Sequence, residues 1–270
     1  MRPVAVVGLG LMGGSLLRAL SEAGQEAVGW APEVGERTGA AALPGVRVPD
    51  GLSQALEGVE GVVLATPLSA ITEVLQAVAG STGVSWVTDL ASLQCPPLET
   101  ALACGIGDRY VTSHPMVGGH RSGFGASRDG MYRGALVWLS AASGRAPREA
   151  VAAFWEGVGG HPTWVDAADH DRRMAWASHL PQVVSTHLAA ALDEAGVPRS
   201  ALGPGGRDVT RLAGSDPRMW QDLLSVTPSP LPEALRALAA ELSQEADHLE
   251  EGDSSGFAER LGVTGAWSRR

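Results

Sequence analysis

His114 is the residue of this sequence whose type and position best suit proton transfer. It stands in Ser113-His114-Pro115, directly after Tyr110–Thr112, a run with the composition of a β-strand. An imidazole with an ordinary pKa of about 6.5 can accept a hydroxyl proton near neutral pH, which makes His114 a candidate general base. A histidine before a proline can also be purely structural, so this motif needs support from other residues.

Ser92 is the candidate partner of this histidine. It ends the segment Thr88-Asp89-Leu90-Ala91-Ser92, which overlaps the predicted strand Ser85–Thr88. Since the carboxyl ends of parallel strands meet at one edge of a sheet, we expect Ser92 and His114 to project towards the same site. A serine hydroxyl there can hydrogen-bond to the substrate hydroxyl and fix its orientation.

Two charged residues in the second half of the chain are candidates for binding a substrate carboxylate. Asp208 and Arg211 lie three residues apart, on one face of a predicted helix that follows Gly205-Gly206. A planar guanidinium can hold a carboxylate through two parallel hydrogen bonds, so Arg211 is the candidate clamp and Asp208 the residue that organises it. The same spacing also fits an Asp–Arg pair on the protein surface.

His179 and Gln182 are further candidates for substrate binding. They lie on either side of Pro181, in Ser178-His179-Leu180-Pro181-Gln182, within a long predicted helix. A proline inside a helix removes a backbone hydrogen bond and bends the helix, so we expect a kink that exposes these two side chains.

The segment Gly8-Leu9-Gly10-Leu11-Met12-Gly13 is the predicted binding loop for NAD or NADP. It follows the apolar run Val4–Val7 and precedes a segment with helical spacing. Gly8 allows a tight turn, Gly10 lets the backbone approach a pyrophosphate, and Gly13 lets the helix pack closely on the strand. The two residues before Gly13 open a helix whose free N–H groups would face the phosphates.

The residues expected around the rest of the cofactor leave NAD and NADP both open. Ala31 stands at the end of the second predicted strand, where an acidic residue usually binds the adenosine ribose. Without that acid NADP becomes plausible, and Arg37 is either a ligand of its 2′-phosphate or a solvated helix residue. Thr66 and Pro67 follow the run Gly61–Ala65 at the sheet edge where dinucleotides pass, although Pro67 could instead simply begin the next helix.

Alternating strand-like and helical segments must position these residues. The predicted strands are Val4–Val7, Glu26–Trp30, Gly61–Ala65, Ser85–Thr88, Tyr110–Thr112, Ala135–Ser140 and Thr163–Val165. The predicted helices are Leu16–Ala23, Ile71–Val78, Asp169 through Ala195, Arg207–Ala213, Arg218–Leu224 and Leu231–Leu249. Strands that alternate with helices indicate parallel βαβ units. We therefore predict a Rossmann-type, doubly wound, mostly parallel sheet over residues 1–165 and an all-helical domain over residues 166–270.

Composition excludes several classes of function. The net charge of −10 disfavours nucleic acid as a partner, and no run reaches the roughly 18 to 20 apolar residues of a membrane span. All 20 basic residues are arginine, which excludes Schiff-base and other lysine chemistry. Cys95 and Cys104 lack the spacing of a metal site or a disulfide scaffold, so we expect no metal and a reducing cytoplasm. We also expect no signal peptide before Val4 and no regulatory domain after residue 270.

Five blocks of the sequence, taken in order, resemble the prephenate/arogenate (cyclohexadienyl) dehydrogenases of tyrosine biosynthesis. They are Gly8–Ser15, Asp89–Ser92, Ser113–Gly123, Ser178–Pro181 and Arg207–Arg211, the last followed by Met219-Trp220. The resemblance implies a Rossmann domain and a helical domain that forms an intertwined homodimer. It also implies oxidation of the ring hydroxyl of a cyclohexadienyl substrate while the ring carboxylate leaves as carbon dioxide, which converts prephenate to 4-hydroxyphenylpyruvate.

Residue roles follow from the same resemblance. It implies that His114 accepts a hydrogen bond from the C4 hydroxyl with Ser92 as its partner, and that Arg211 holds a substrate carboxylate in a pocket organised by Asp208. Many members have a histidine at the position of Gln182, which touches the substrate side chain, an acidic residue at that of His120 and a lysine at that of Gln94. These departures leave the choice between prephenate and arogenate open.

Two other classes of protein share some of these features. The 3-hydroxyacid dehydrogenases share the G-L-G-x-M-G start and a helical domain, but they rely on a catalytic lysine that this chain lacks. A non-catalytic NAD(P)-binding regulator would need only the glycine loop, so Ser92, His114 and Arg211 together favour an enzyme.

Overall fold

Eight strands form the sheet structure of the computed structural model, which describes residues 2–119, 121–226 and 230–269. The strands are β1 (Val4–Val7), β2 (Ala27–Trp30), β3 (Val46–Arg47), β4 (Gly61–Leu64), β5 (Trp86–Asp89), β6 (Val111–Pro115), β7 (Leu136–Ala141) and β8 (His161–Trp164). The first five form a parallel sheet in the order β3-β2-β1-β4-β5. The other three follow as β6-β7-β8, with β6 and β7 antiparallel and β7 and β8 parallel.

The two groups of strands adjoin each other. A parallel bridge pairs Val87 of β5 with Tyr110, the residue before β6. Apart from Val46–Arg47, the five-stranded part is almost entirely buried, as expected when helices cover both faces of a parallel sheet. The predicted Rossmann-type, mostly parallel architecture is therefore confirmed.

Twelve helices accompany the strands in the described part of the chain. Those around the sheet are α1 (Leu11–Glu22), α2 (Val34–Ala40), α3 (Leu52–Ala55), α4 (Ile71–Ala79), α5 (Cys95–Ala103) and α6 (Arg148–Gly157). Those that follow it are α7 (Ala167–Met174), α8 (Leu180–Glu194), α9 (Pro204–Val209), α10 (Pro217–Ser225), α11 (Pro230–Glu250) and α12 (Ser255–Trp267). The prediction that the chain is helical after the sheet is confirmed.

A π-helical turn joins α7 to α8. The side chain of Asp166 caps the start of α7 by accepting hydrogen bonds from the backbone N–H groups of Ala168 and Asp169. The turn spans Ala175–His179, and Pro181 then lies in the first turn of α8, where its missing N–H costs little. The helical path is therefore distorted before the proline rather than broken at it.

The helical part has few buried apolar residues of its own. Its core cluster consists of Ala175, Leu180, Leu231 and Ala234.

Among the residues described, neither the helices of this part nor those around the sheet are long and apolar enough to cross a membrane.

Candidate active site

His114 lies within strand β6, which runs three residues further than the sequence predicted. The strand continues because His114 pairs with Trp138 of β7 and Pro115 pairs with Val137. The preceding residue is anchored in the core, since the hydroxyl of Ser113 accepts a hydrogen bond of 2.9 Å from Nε1 of Trp155. The backbone on which His114 stands is therefore fixed on both sides.

A chain of hydrogen bonds links His114 to a carboxylate. Nδ1 of His114 lies 2.9 Å from Nε2 of His170, and Nδ1 of His170 lies 2.8 Å from Oδ1 of Asp171. His170 is 1% exposed, and its ring meets that of His114 edge to face. Helix α7 thus brings a His–Asp pair from the second half of the chain against the end of β6.

This chain sets the tautomer of both rings. An ionised carboxylate can only accept hydrogen bonds, so Nδ1 of His170 carries the proton and its Nε2 is left as an acceptor. His114 must then donate from Nδ1, which leaves its own Nε2 with a free lone pair. A free Nε2 is the atom that could accept a proton from a bound hydroxyl.

The electrostatic environment keeps His114 neutral. Burial lowers the pKa of His114 from 6.5 to about 3, with nearby His170 and His179 acting in the same direction and Asp171 opposing them. Burial alone would raise the pKa of Asp171, but hydrogen bonds from His170 and from the backbone of Cys95 and Gln94 outweigh it and lower that pKa. The resting site therefore pairs a neutral imidazole with an ionised carboxylate.

Gln94, where many relatives of the resembled family have a lysine, helps hold this carboxylate. Its backbone N–H donates to Oδ1 of Asp171 at 2.8 Å, and the N–H of Cys95 donates to Oδ2 at 2.9 Å. The amide side chain is buried and joins the carbonyl of Trp138 and the hydroxyl of Ser140. The uncharged glutamine is thus built into the junction between α7 and the sheet. His120, another departure, lies outside the described residues.

Ser92 stands in a turn that a buried acid organises. Oδ1 of Asp89 accepts the backbone N–H of Ala91 at 2.8 Å, and Oδ2 accepts the hydroxyl of Tyr110. Burial raises the pKa of Asp89 to about 7, although these hydrogen bonds act in the opposite direction. The hydroxyl of Ser92 is half-buried and makes no hydrogen bond within the described part of the protein, so it is available to a ligand.

The glycine loop has the backbone geometry that the sequence predicts. Gly8 has a φ of 96°, and a Cβ there would lie 2.5 Å from the carbonyl oxygen of Ala65. A Cβ on Gly13 would lie 1.9 Å from the carbonyl oxygen of Gly8, so helix and strand could not pack with any larger residue. A Cβ on Gly10, by contrast, would meet only Oε1 of Glu36 within 4 Å, at 3.9 Å. The structure therefore leaves open space above the start of α1, where a pyrophosphate binds in this fold.

The other candidate cofactor residues surround this space. Ala31 is buried at the end of β2, and Arg37 donates through Nη1 to the carbonyls of Ala31 at 2.7 Å and Pro32 at 3.0 Å. Pro67 precedes a short 3₁₀ turn that leads into α4, so its helix-starting role is observed. Oγ1 of Thr66 is buried without a hydrogen-bond partner among the described residues, which marks it as an atom that a ligand could satisfy.

The expected exposure of His179 and Gln182 is wrong. Their exposed fractions are 2% and 7%. His179 is the last residue of the π-helical turn, and Gln182 lies in α8, where the 3₁₀ turn at Leu212 covers it. Gln182 donates to the carbonyl of Leu212 at 2.8 Å and accepts from the hydroxyl of Ser215 at 3.0 Å. Gln182 therefore supports the turn that carries Arg211.

His179 retains unsatisfied polar capacity. Its Nδ1 is buried without a partner in the described structure, as is Nε1 of Trp220, and the two rings pack edge to face with centroids 5.9 Å apart. Burial lowers the pKa of His179. An unpaired buried donor or acceptor is costly, so these atoms are suited to a polar ligand.

Asp208 and Arg211 do not share one continuous helix as predicted. Helix α9 ends at Val209, where Oγ1 of Thr210 donates to the carbonyl of Gly206, and Arg211 begins a separate 3₁₀ turn. Both side chains are exposed, and neither forms an ion pair with any described residue, so the surface-pair alternative is not observed. No hydrogen bond connects them to the histidines in the described parts of the chain.

Sequence reasoning missed His170 and Asp171. The sequence shows only an adjacent His–Asp pair within the first helix after the sheet. Their importance depends on packing against β6, 56 residues earlier in the chain, which no local pattern reveals.

Comparison with known proteins gives a consistent result over most of the chain. Residues 26–163 match the family model described as the nucleotide-binding domain of prephenate dehydrogenase. Residues 166–263 match that described as the dimerization domain of prephenate dehydrogenase.

Individual relatives agree with these matches. The chain is 28% identical over 239 residues to a prephenate dehydrogenase of Bacillus subtilis, covering 82% of this chain and 63% of that protein. It is 29% identical over 233 residues to a cyclohexadienyl dehydrogenase of Zymomonas mobilis, covering 82% of this chain and 79% of that protein. The chain thus spans less than two thirds of the first relative.

A solved structure shares the fold over the full length. The crystal structure of prephenate dehydrogenase from Aquifex aeolicus, in complex with hydroxyphenyl propionate and NAD+, has a TM-score of 0.90 and 24% identity. The alignment covers 100% of this chain and 98% of that one.

Proposed function

This chain belongs to the prephenate dehydrogenase family, and on that premise we propose that it oxidises and decarboxylates prephenate to 4-hydroxyphenylpyruvate with NAD or NADP. The observation that carries the proposal is the chain of hydrogen bonds to His170 and Asp171, which engages Nδ1 of His114 and leaves its Nε2 without a hydrogen bond among the described residues. That arrangement is a poised proton acceptor, which a protein that only senses NAD(P) would not need.

His114 takes one proton from the substrate and later returns it to the product. Its Nε2 accepts the proton of the substrate C4 hydroxyl, which converts that carbon to a carbonyl carbon as its hydride departs. The ring carboxylate then leaves as carbon dioxide, and its bonding electrons aromatise the ring and place charge on the C4 oxygen. His114 returns the proton to that oxygen, so the reaction needs no net proton from solvent.

The glycine loop and its surroundings fit the cofactor. Two observations support this assignment: the open space at Gly10 and the unpaired Oγ1 of Thr66. The residues that would hold the cofactor are Gly8, Gly10, Leu11, Met12, Gly13, Ala31, Thr66 and Pro67. The bound nicotinamide supplies the acceptor for the hydride. The chain itself contributes alignment of donor and acceptor and exclusion of water.

The remaining site residues bind and orient the substrate. We assign Ser92 to the C4 hydroxyl, because its own hydroxyl is uncommitted, and His179 to a polar substrate group that satisfies its buried Nδ1. Arg211, with Asp208 beside it, is free of ion pairs with described residues and would grip a carboxylate. Gln182 positions the turn of Arg211.

Arogenate is the second candidate substrate. It differs from prephenate in having an ammonium in place of the side-chain keto group. Gln182, which replaces a histidine of many relatives, has both its amide nitrogen and oxygen engaged within the protein. We therefore do not assign to Gln182 the discrimination between the two side chains.

We further propose a homodimer formed through the helical part. Helices α11 and α12 present large apolar side chains to solvent, among them Leu242, Leu249, Leu261, Val263 and Trp267. The core cluster of the helical part contains four buried residues, so one chain alone leaves these side chains exposed. A second copy would bury them.

A cytoplasmic location fits Cys95 and Cys104, which form no disulfide in the described structure.

A crossed assay tests the activity. Purified protein is incubated with prephenate or arogenate and with NAD or NADP, and reduced nicotinamide is followed by absorbance. Turnover of prephenate above arogenate supports the assignment, and turnover of arogenate alone replaces it with the second candidate. Absence of turnover with all four combinations, in protein that binds NAD or NADP, would favour a regulator.

A further inference from the structure

We propose that Glu36 recognises the adenosine ribose of the cofactor and makes the chain prefer NAD to NADP. This inference rests on the proposed function only in that both need a dinucleotide at the glycine loop. The end of β2 would ordinarily supply the ribose-binding carboxylate, but Ala31 stands there and provides only a buried methyl group. A carboxylate from the next helix takes its place.

The position of Glu36 supports this role. Its Oε1 lies 3.9 Å from the place of a Cβ on Gly10 and 4.0 Å from that of a Cβ on Gly123. The carboxylate is half-buried, and its interaction with the backbone of Leu9 lowers its pKa. It therefore faces the glycine loop from α2, between the phosphate-binding start of α1 and the end of β2.

That place is where the adenosine ribose must pass. In this fold the pyrophosphate binds at the N-terminus of the first helix, and the adenosine lies over the carboxyl end of the second strand. A carboxylate between the two can accept hydrogen bonds from both ribose hydroxyls of NAD. In NADP the 2′-phosphate would place a second anion beside it.

The neighbouring charges do not neutralise Glu36. Burial and the nearby Glu33 raise its pKa and outweigh the backbone of Leu9, which lowers it, so a further negative charge is unfavourable there. Arg37 is the nearest cation in sequence, but its Nη1 is engaged by the carbonyls of Ala31 and Pro32. Glu36 and Arg37 form no ion pair in the described structure.

Calorimetric titration with ADP-ribose and with 2′-phospho-ADP-ribose tests the inference without any turnover. The native protein should bind ADP-ribose at least about tenfold more tightly, because the 2′-phosphate would place a like charge beside the carboxylate of Glu36. Glu36→Gln should bring the ratio of the two dissociation constants close to one. Glu26→Gln, which removes an exposed carboxylate directly before β2, at the end of the strand away from Ala31, is the matched control and should keep the native ratio.

Each outcome bears on the inference. Equal binding of the two ligands by the native protein, or an unchanged ratio in Glu36→Gln, overturns the role of Glu36 while leaving prephenate oxidation untouched. A native preference for 2′-phospho-ADP-ribose that disappears in Arg37→Gln assigns the site to Arg37 instead. Binding of neither ligand contradicts both this inference and the proposed function.

Discussion

Nδ1 of His114 lies 2.9 Å from Nε2 of His170, and this contact decides which nitrogen of His114 is left for a substrate. Because Asp171 fixes the proton of His170 on Nδ1, the tautomers of both rings follow from one buried carboxylate. The arrangement resembles an acid–histidine pair of a hydrolase extended by one further imidazole. We propose that its function is to keep Nε2 of His114 unprotonated and available to the substrate.

Replacing Asp171 tests this positioning role. Asp171→Asn removes the charge and one hydrogen-bond acceptor that fix the tautomer of His170. The wrong tautomer of His114 then becomes populated, so we expect kcat to fall at least about tenfold, with a smaller change in KM. Asp169→Asn is the matched control, since Asp169 is an exposed carboxylate of the same helix whose one ion pair among the described residues is with Arg172. Equal kinetics of the two variants, at equal melting temperatures, would remove Asp171 from the mechanism.

Replacing Arg211 tests the carboxylate clamp. A charge-assisted hydrogen bond contributes about 1.5–3 kcal/mol, so Arg211→Ala should raise KM for substrate by about one to several orders of magnitude, with less effect on kcat. Cofactor affinity and melting temperature should stay close to native, because Arg211 is exposed and forms no ion pair with described residues. Arg207→Ala provides the comparison, and a native KM in Arg211→Ala would place this residue outside the site.

Assembly is tested by light scattering at micromolar concentration. The apolar faces of α11 and α12 should give twice the chain mass, since Val263 and Trp267 would otherwise remain 68% and 74% exposed. Leu261→Glu should shift the mass towards that of a monomer. Val34→Glu places the same charge on an exposed apolar position of α2 and should leave the dimer intact. A monomeric native protein would refute the proposed interface.

Stability should depend on pH through His114. Its pKa of about 3 in the folded protein is below the ordinary 6.5, so the unfolded chain takes up a proton that the folded one resists. The contribution is present above pH 6.5 and is lost as pH falls, by up to about 1.4 kcal/mol per pH unit. Asp89, with its raised pKa, acts in the opposite direction, because its protonated form favours the folded state.

Comparison with His114→Gln isolates the histidine. Urea unfolding at pH 7, 6 and 5, at one protein concentration, should show that the native protein loses more stability than the variant on acidification. The contribution of Asp89 cancels because both proteins contain it. Parallel pH profiles would mean that His114 is not held neutral by burial.

The features that sequence predicts here are those fixed by local chemistry. Gly8 and Gly13 can be read directly, because a tight turn and a close helix contact each exclude a side chain. His114 could be named from its place after a strand-like run only together with the other motifs of the chain, because a histidine before a proline can also be structural. The short strand Val46–Arg47 has no periodicity to detect and is missed.

The features that sequence does not predict arise from tertiary packing. Nothing local to His170 shows that helix α7 will dock it against β6, and nothing local to Glu36 shows that α2 will turn its carboxylate to the glycine loop. Gln182 is buried, against expectation, because the 3₁₀ turn at Leu212 folds back onto α8. In each case the deciding partner is distant in sequence.

The most direct test of the account measures the products of one turnover by the native protein and by His114→Ala. With prephenate and NAD the native protein should release carbon dioxide and reduced nicotinamide in equal amounts, together with 4-hydroxyphenylpyruvate. His114→Ala should still bind NAD with native affinity but lose about 10²–10⁴-fold in kcat, the usual contribution of a general base. A variant that keeps more than about a tenth of native kcat, or a native protein that forms no reduced nicotinamide from prephenate, would contradict the account.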